Sequence, residues 1–131
     1  MDVNMENASE VQPSPQLNPS KFYLRDIGST TGAFIMVRQE ILLQENMMFQ
    51  MGLSEFRIAI TSKKSIIELH VFEGPQRNRM ITVDHVGGLT IGRDMQNSFY
   101  VQEDSQMSNF HAKIEYFAGS DQDPKPQGFY L

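Results

Sequence analysis

From Phe56 to Ile60, and again from Ile67 to Val71, every second residue is apolar. Phe56, Ile58 and Ile60 alternate with Arg57 and Ala59, and Ile67, Leu69 and Val71 alternate with Glu68 and His70. A period of two is the signature of a strand with one buried face; wound into a helix, the same residues would scatter around it. The rest of the chain fits this pattern. Short β-rich runs at Phe22–Leu24, Ala33–Val37, Met80–Val83, Gly88–Gly92, Ser98–Val101, Phe110–Phe117 and Phe129–Leu131 are separated by Gly-, Ser- and Asn-containing turns. Glu40–Gly52 has enough Leu and Met for a helix, but Gln44-Glu45-Asn46 reads as a turn. The segment after it then reads as a hairpin closed around Gly52-Leu53-Ser54. The expectation is an all-β sandwich of about ten to eleven strands with no helix.

Composition narrows the function classes. A chain of 131 residues is enough for one domain with its own core. Its net charge of −5 argues against a nucleic-acid binder, which needs a basic face. With no cysteines, disulfides and thiol chemistry are excluded. The three histidines, His70, His85 and His111, are too scattered for a metal site, so neither a metal nor a cofactor is expected. No apolar run approaches the ~18 residues of a membrane span, and the polar start "MDVNMENASE" lacks a leader pattern. An intracellular protein, cytoplasmic or nuclear, is expected. Met1–Ser20, with Pro13, Pro15 and Pro19 among polar residues, reads as a disordered tail.

The stretch "GRDMQNSFYVQEDSQMSNFHAKI", Gly92–Ile114, carries the most chemistry. Arg93 follows a strand end and offers a fixed fork of donors suited to phosphate oxygens. Ser108 and Asn109 stand at the mouth of the next long strand with short polar side chains beside backbone N–H groups. Together they would hold one phosphate monoester. A hydrolase using Ser108 and His111 is disfavoured, because a three-residue separation at a strand start is not a nucleophile–base geometry and no orienting acid is evident. His111 is expected to hold loops in shape. "GSTTG", Gly28–Gly32, lacks the lysine and glycine spacing of a nucleotide loop. Glu103-Asp104 and Asp121/Asp123 read as solvated loop charges.

These residues resemble the forkhead-associated (FHA) domain family. Leu89–Phe117, "LTIGRDMQNSFYVQEDSQMSNFHAKIEYF", is similar to its Gly-Arg, Asn, Asp, Ser-x-x-His-Ala block. Phe22–Met36, "FYLRDIGSTTGAFIM", is similar to its Asp-x-Gly-Ser-Thr block. The resemblance implies a β-sandwich that binds phosphothreonine peptides through loops at one end. Arg93 and Ser108 would grip the phosphate. Asn109 would contact the peptide or support the loop, and Thr30 would supply another phosphate or peptide contact. Gly92, Gly32 and His111 would be structural. Thr31 stands where the family usually has an Asn that bonds the ligand backbone, and Ala33 where it usually has Thr.

The two blocks occur in reverse of the family's order, and "FYL" occurs twice. The chain then reads as a tail (1–20), the back half of an FHA-like domain (21–61), a joint (62–66) and a front half (67–131). Two accounts fit, a circular permutant or a piece of a tandem array. Neither half can bury its apolar faces alone, so the halves must cover each other within one chain or head-to-tail between chains; the short joint favours one chain. The leading functional expectation is a non-enzymatic phosphothreonine-peptide recognition module in protein–protein signalling. Its expected partners are phosphothreonine-containing protein segments, with no nucleic acid, no membrane and possible self-association. The alternative is a structural sandwich with degenerate ligand binding, used for assembly.

Overall fold

The computed structural model of the protein describes residues 21–63 and 65–131. The expected tail, Met1–Ser20, lies outside the described residues, as does Lys64 of the joint. The chain divides into two units, Met1–Met36 and Val37–Leu131.

Among the described residues of the second unit, eight strands form two four-stranded sheets. The first is an antiparallel meander of β1 (Met48–Met51), β2 (Ser54–Ile60), β3 (Ile66–Glu73) and β4 (Met80–Asp84). The second has the order β6-β5-β7-β8, built from β5 (Leu89–Gly92), β6 (Phe99–Tyr100), β7 (Ala112–Phe117) and β8 (Gly128–Tyr130). Its β5–β6 pair is parallel and the others antiparallel. The described residues contain no helix, and so none that could cross a membrane.

The period-two runs become β2 and β3. Phe56, Ile58, Ile67, Leu69 and Val71 are buried, while Ile60, at the strand's end, is 40% exposed. The β1–β2 hairpin closes through Gly52-Leu53, with Met51 opposite Ser54. Gly52 has φ +61°, and a Cβ there would stand 2.5 Å from Asp104 Oδ1 and 2.7 Å from the Met107 amide, so glycine is required twice over. One core joins both sheets: Leu43, Phe49, Met51, Phe56 and Ile58 pack in one cluster with Ile67, Leu69, Leu89, Ile91, Ile114 and Phe129. β8 is the last strand of its sheet, yet both its edges carry backbone bonds. β7 pairs with one edge of it (Glu115 opposite Tyr130), and Ile41–Leu43 pairs with the other. On that outer edge, Ile41 and Leu131 exchange two backbone bonds of 3.1 Å, and Leu43 N–H donates to Phe129 O at 2.8 Å.

The first unit corrects two expectations. Phe22–Leu24 and Ala33–Met36 are not strands, nor is Val37 at the start of the second unit. Their apolar side chains are exposed, Phe22 fully and Ile35 and Met36 by more than 70%. β-propensity alone does not make a strand; a neighbour must take up the backbone bonds. Between Leu24 and Ala33 the chain folds around Asp26. Its carboxylate accepts the Gly28 and Ser29 amides at 2.8 Å and the Ser29 hydroxyl at 2.6 Å, and Ser29 Oγ accepts the Gly32 amide at 3.0 Å. Gly28 and Gly32 have φ of +100° and +83°, the left-handed conformations that this double turn needs.

Candidate functional site

The site grows from the end of β5. Gly92 admits no side chain, because a Cβ would lie 2.1 Å from the Asn109 carbonyl oxygen and 2.7 Å from Asn97 Nδ2. This close approach lets the loop before β7 lie directly on the loop after β5. Three backbone bonds zip them together: Arg93 N–H to Ser108 O at 2.9 Å, Asp94 N–H to Asn109 O at 3.2 Å and His111 N–H to Ile91 O at 2.9 Å. Asn97 clamps the pair from below. It is 6% exposed, and its amide donates at 2.7 Å both to Asp94 O and to Asn109 O.

Above this clamp stands Arg93. Its guanidinium donates to Asn109 Oδ1 from Nε (3.4 Å) and Nη2 (3.3 Å), and to Ser105 O from Nη1 (3.4 Å). All three contacts are near the outer limit of a hydrogen bond, and both acceptors are neutral. Among the described residues no carboxylate lies within ion-pair distance of Arg93. An open depression of about 290 Å³ is lined by Arg93, Asp94, Met95, Gln102 and Asn109. A larger one, about 430 Å³, takes in Asn97, Phe110, His111 and Lys113 but not Arg93, and its one lysine is already paired with Glu115. Asp94 also faces the smaller depression, with Oδ1 occupied by the Gln96 amide at 2.8 Å.

The chain therefore brings Arg93, Ser108, Asn109, His111 and Gly92 together. His111 Nδ1 accepts the Ser108 backbone N–H at 3.0 Å, so the ring is bonded to the loop's backbone. Ser108 and Asn109 are both exposed. Thr30, Thr31 and Gly32 belong to the first unit, where they sit on the exposed Asp26 turn.

No protein-family model, curated protein or solved structure matches this chain. The likeness to the FHA family stands on the motif residues alone.

One residue overturns its sequence reading. Asp104 is not a solvated loop charge but has no accessible surface. It accepts the Leu53 amide (2.9 and 3.1 Å), the Ser54 hydroxyl (2.8 Å) and the Gln106 amide (3.1 Å), tying the β1–β2 turn to the loop that leads into the site. The available signal was its spacing from Val101 and Met107. These three residues, each three apart, are all buried. Asn97 also went unassigned, although it carries the contact between the two site loops.

Proposed function

We propose that this chain is a non-enzymatic module that recognises phosphothreonine in segments of other proteins, in intracellular signalling in the cytoplasm or nucleus. The observation that carries this reading is Arg93: a guanidinium at the rim of two tightly zipped loops, held among the described residues by long bonds to neutral oxygens. A phosphate offers it shorter, charge-assisted bonds with bidentate geometry. Asn109 and Ser108 are positioned by the same loop contacts. The His111 ring, bonded to a backbone amide, fits a supporting role better than a catalytic one.

The test is fluorescence anisotropy with phosphothreonine peptides and their unphosphorylated counterparts. Arg93→Ala is expected to weaken binding by roughly 30- to 150-fold, the equivalent of about 2–3 kcal/mol for a lost charged contact. Arg93→Lys keeps the charge but loses the fork, and should recover only part of the affinity. Equal affinity for phosphorylated and unphosphorylated peptides would refute the reading.

A second reading, a sandwich used for assembly with degenerate ligand binding, is favoured by the exposed apolar side chains of Phe22, Leu24, Ile27, Ile35 and Met36. Concentration-dependent light scattering without phosphopeptide binding would select it.

A further inference from the structure

Phe-Tyr-Leu occurs at Phe22–Leu24 and again at Phe129–Leu131. The second copy fills a slot at the end of a sheet, between β7 on one side and the Ile41–Leu43 segment on the other. There Phe129 is 3% exposed, whereas Phe22 is 104% and Leu24 69% exposed. The slot is shaped for these three side chains in this order, and each molecule carries two segments that match it.

The copies differ in the residue before them, Gly128 in one and Lys21 in the other. Gly128 has φ +153°, and a Cβ there would come 2.7 Å from Leu42 Cδ1. Lys21 would need a different backbone angle and a small shift of the flexible end of Leu42. The resident strand thus keeps an advantage, and exchange populates a minor, concentration-dependent state.

The register says where an exchanged segment would lead. Gly128, Phe129 and Tyr130 stand opposite Phe117, Tyr116 and Glu115, so the chain beyond this strand runs toward Ile114, Lys113, Ala112 and His111. His111 N–H bonds Ile91, one residue before Gly92-Arg93. We infer that Phe22–Leu24 of a second copy of this chain can take the place of β8 between β7 and Ile41–Leu43, and that its Arg25–Gly32 turn then reaches the Arg93–Ser108–Asn109 loops. Thr30 and Thr31 would thereby join the candidate phosphate site from another molecule, in a head-to-tail contact. The strand exchange stands on the duplicated segment and the register; the completion of a phosphate site rests on the function proposed above. A phosphopeptide that contacts both molecules must promote their association, by linkage.

The chain has no cysteine, so introduced ones report without background. Leu24 would take the place of Leu131, whose backbone bonds Ile41 in both directions. L24C and I41C are therefore prepared as separate full-length molecules and mixed under mild oxidation, so that a 24–41 disulfide can form only between molecules. The expected result is a mapped heterodimer whose yield rises with concentration. It should exceed the yield of L24C mixed with T82C, which places a thiol on the exposed face of β4. Adding Lys21→Gly to the L24C chain should raise the yield several-fold. A saturating phosphothreonine peptide should raise it too, while its unphosphorylated form should not. A yield no higher than with T82C, or independent of concentration, overturns the exchange. Disulfide formation by a chain that binds no phosphopeptide supports the exchange and removes the function proposed above. Phosphopeptide binding by a chain that forms no 24–41 disulfide does the reverse.

Discussion

Asp104 and Asp26 show how differently two carboxylates in turns can act. Asp104, fully buried, accepts from the Leu53 amide and the Ser54 hydroxyl, and no other acceptor serves them among the described residues. Asp104→Ala strands those donors and should destabilise the fold by about 2–4 kcal/mol, because a buried group left unsatisfied loses its full desolvation energy. Urea midpoints measure this; a change under about 0.5 kcal/mol, the usual size of a surface substitution, would mean that Asp104 is not the anchor described. Asp26, by contrast, is exposed. Its carboxyl is held below the ordinary 3.8 first by the Ser29 hydroxyl, then by the Ser29 and Gly28 amides. The ionised form is the one that accepts those bonds. Their contribution is complete above the ordinary carboxyl range and is lost as pH falls through the lowered value. The Gly28 and Ser29 amide resonances should move together with a midpoint below 3.8. A midpoint at or above that value would dismiss the turn. In the sequence both residues are simply acids near polar neighbours. What separates them is whether the flanking residues turn inward, which Val101 and Met107 do around Asp104.

For the elements, most strands were legible because alternation is a local property: β2, β3 and the apolar face of β7 follow it directly. The duplicated Phe-Tyr-Leu was not, because identical tripeptides carry identical propensities. Only the partners on either side decide which becomes β8. The two copies therefore predict opposite consequences for one substitution. Phe129→Ala should cost about 3–5 kcal/mol, as for a buried aromatic removed from a core. Phe22→Ala should fall within about ±0.5 kcal/mol. Denaturant unfolding of both variants makes the comparison, and equal losses would mean that the wrong copy has been placed in the sheet. At the candidate site, the pairing of the Arg93 and Ser108 loops was legible from the motif. The Gly92–Asn109 approach and the Asn97 clamp were not, because both depend on how closely two loops lie.

At the scale of the whole molecule, the second unit draws its core from Leu43–Ile58 and from Ile67–Phe129, the two stretches on either side of the expected joint. Thr61 and Ile66 meet there, with Ile66 N–H donating to Lys63 O at 2.9 Å and Thr61 Oγ1 donating to Lys63 O at 2.8 Å. The need for the two stretches to cover each other could be read from their one-sided apolar patterns. The geometry of their closure could not, since it depends on long-range pairing. Leu131, just after β8, bonds Ile41 about 90 positions earlier in the chain. Bringing such distant ends together costs about 4 kcal/mol of chain entropy before any contact compensates it. Topologies of this kind fold slowly. On a ribosome, Ile41–Leu43 would emerge long before its neighbour in the sheet is synthesised, and for that interval one edge of the nascent protein has nothing to zip against.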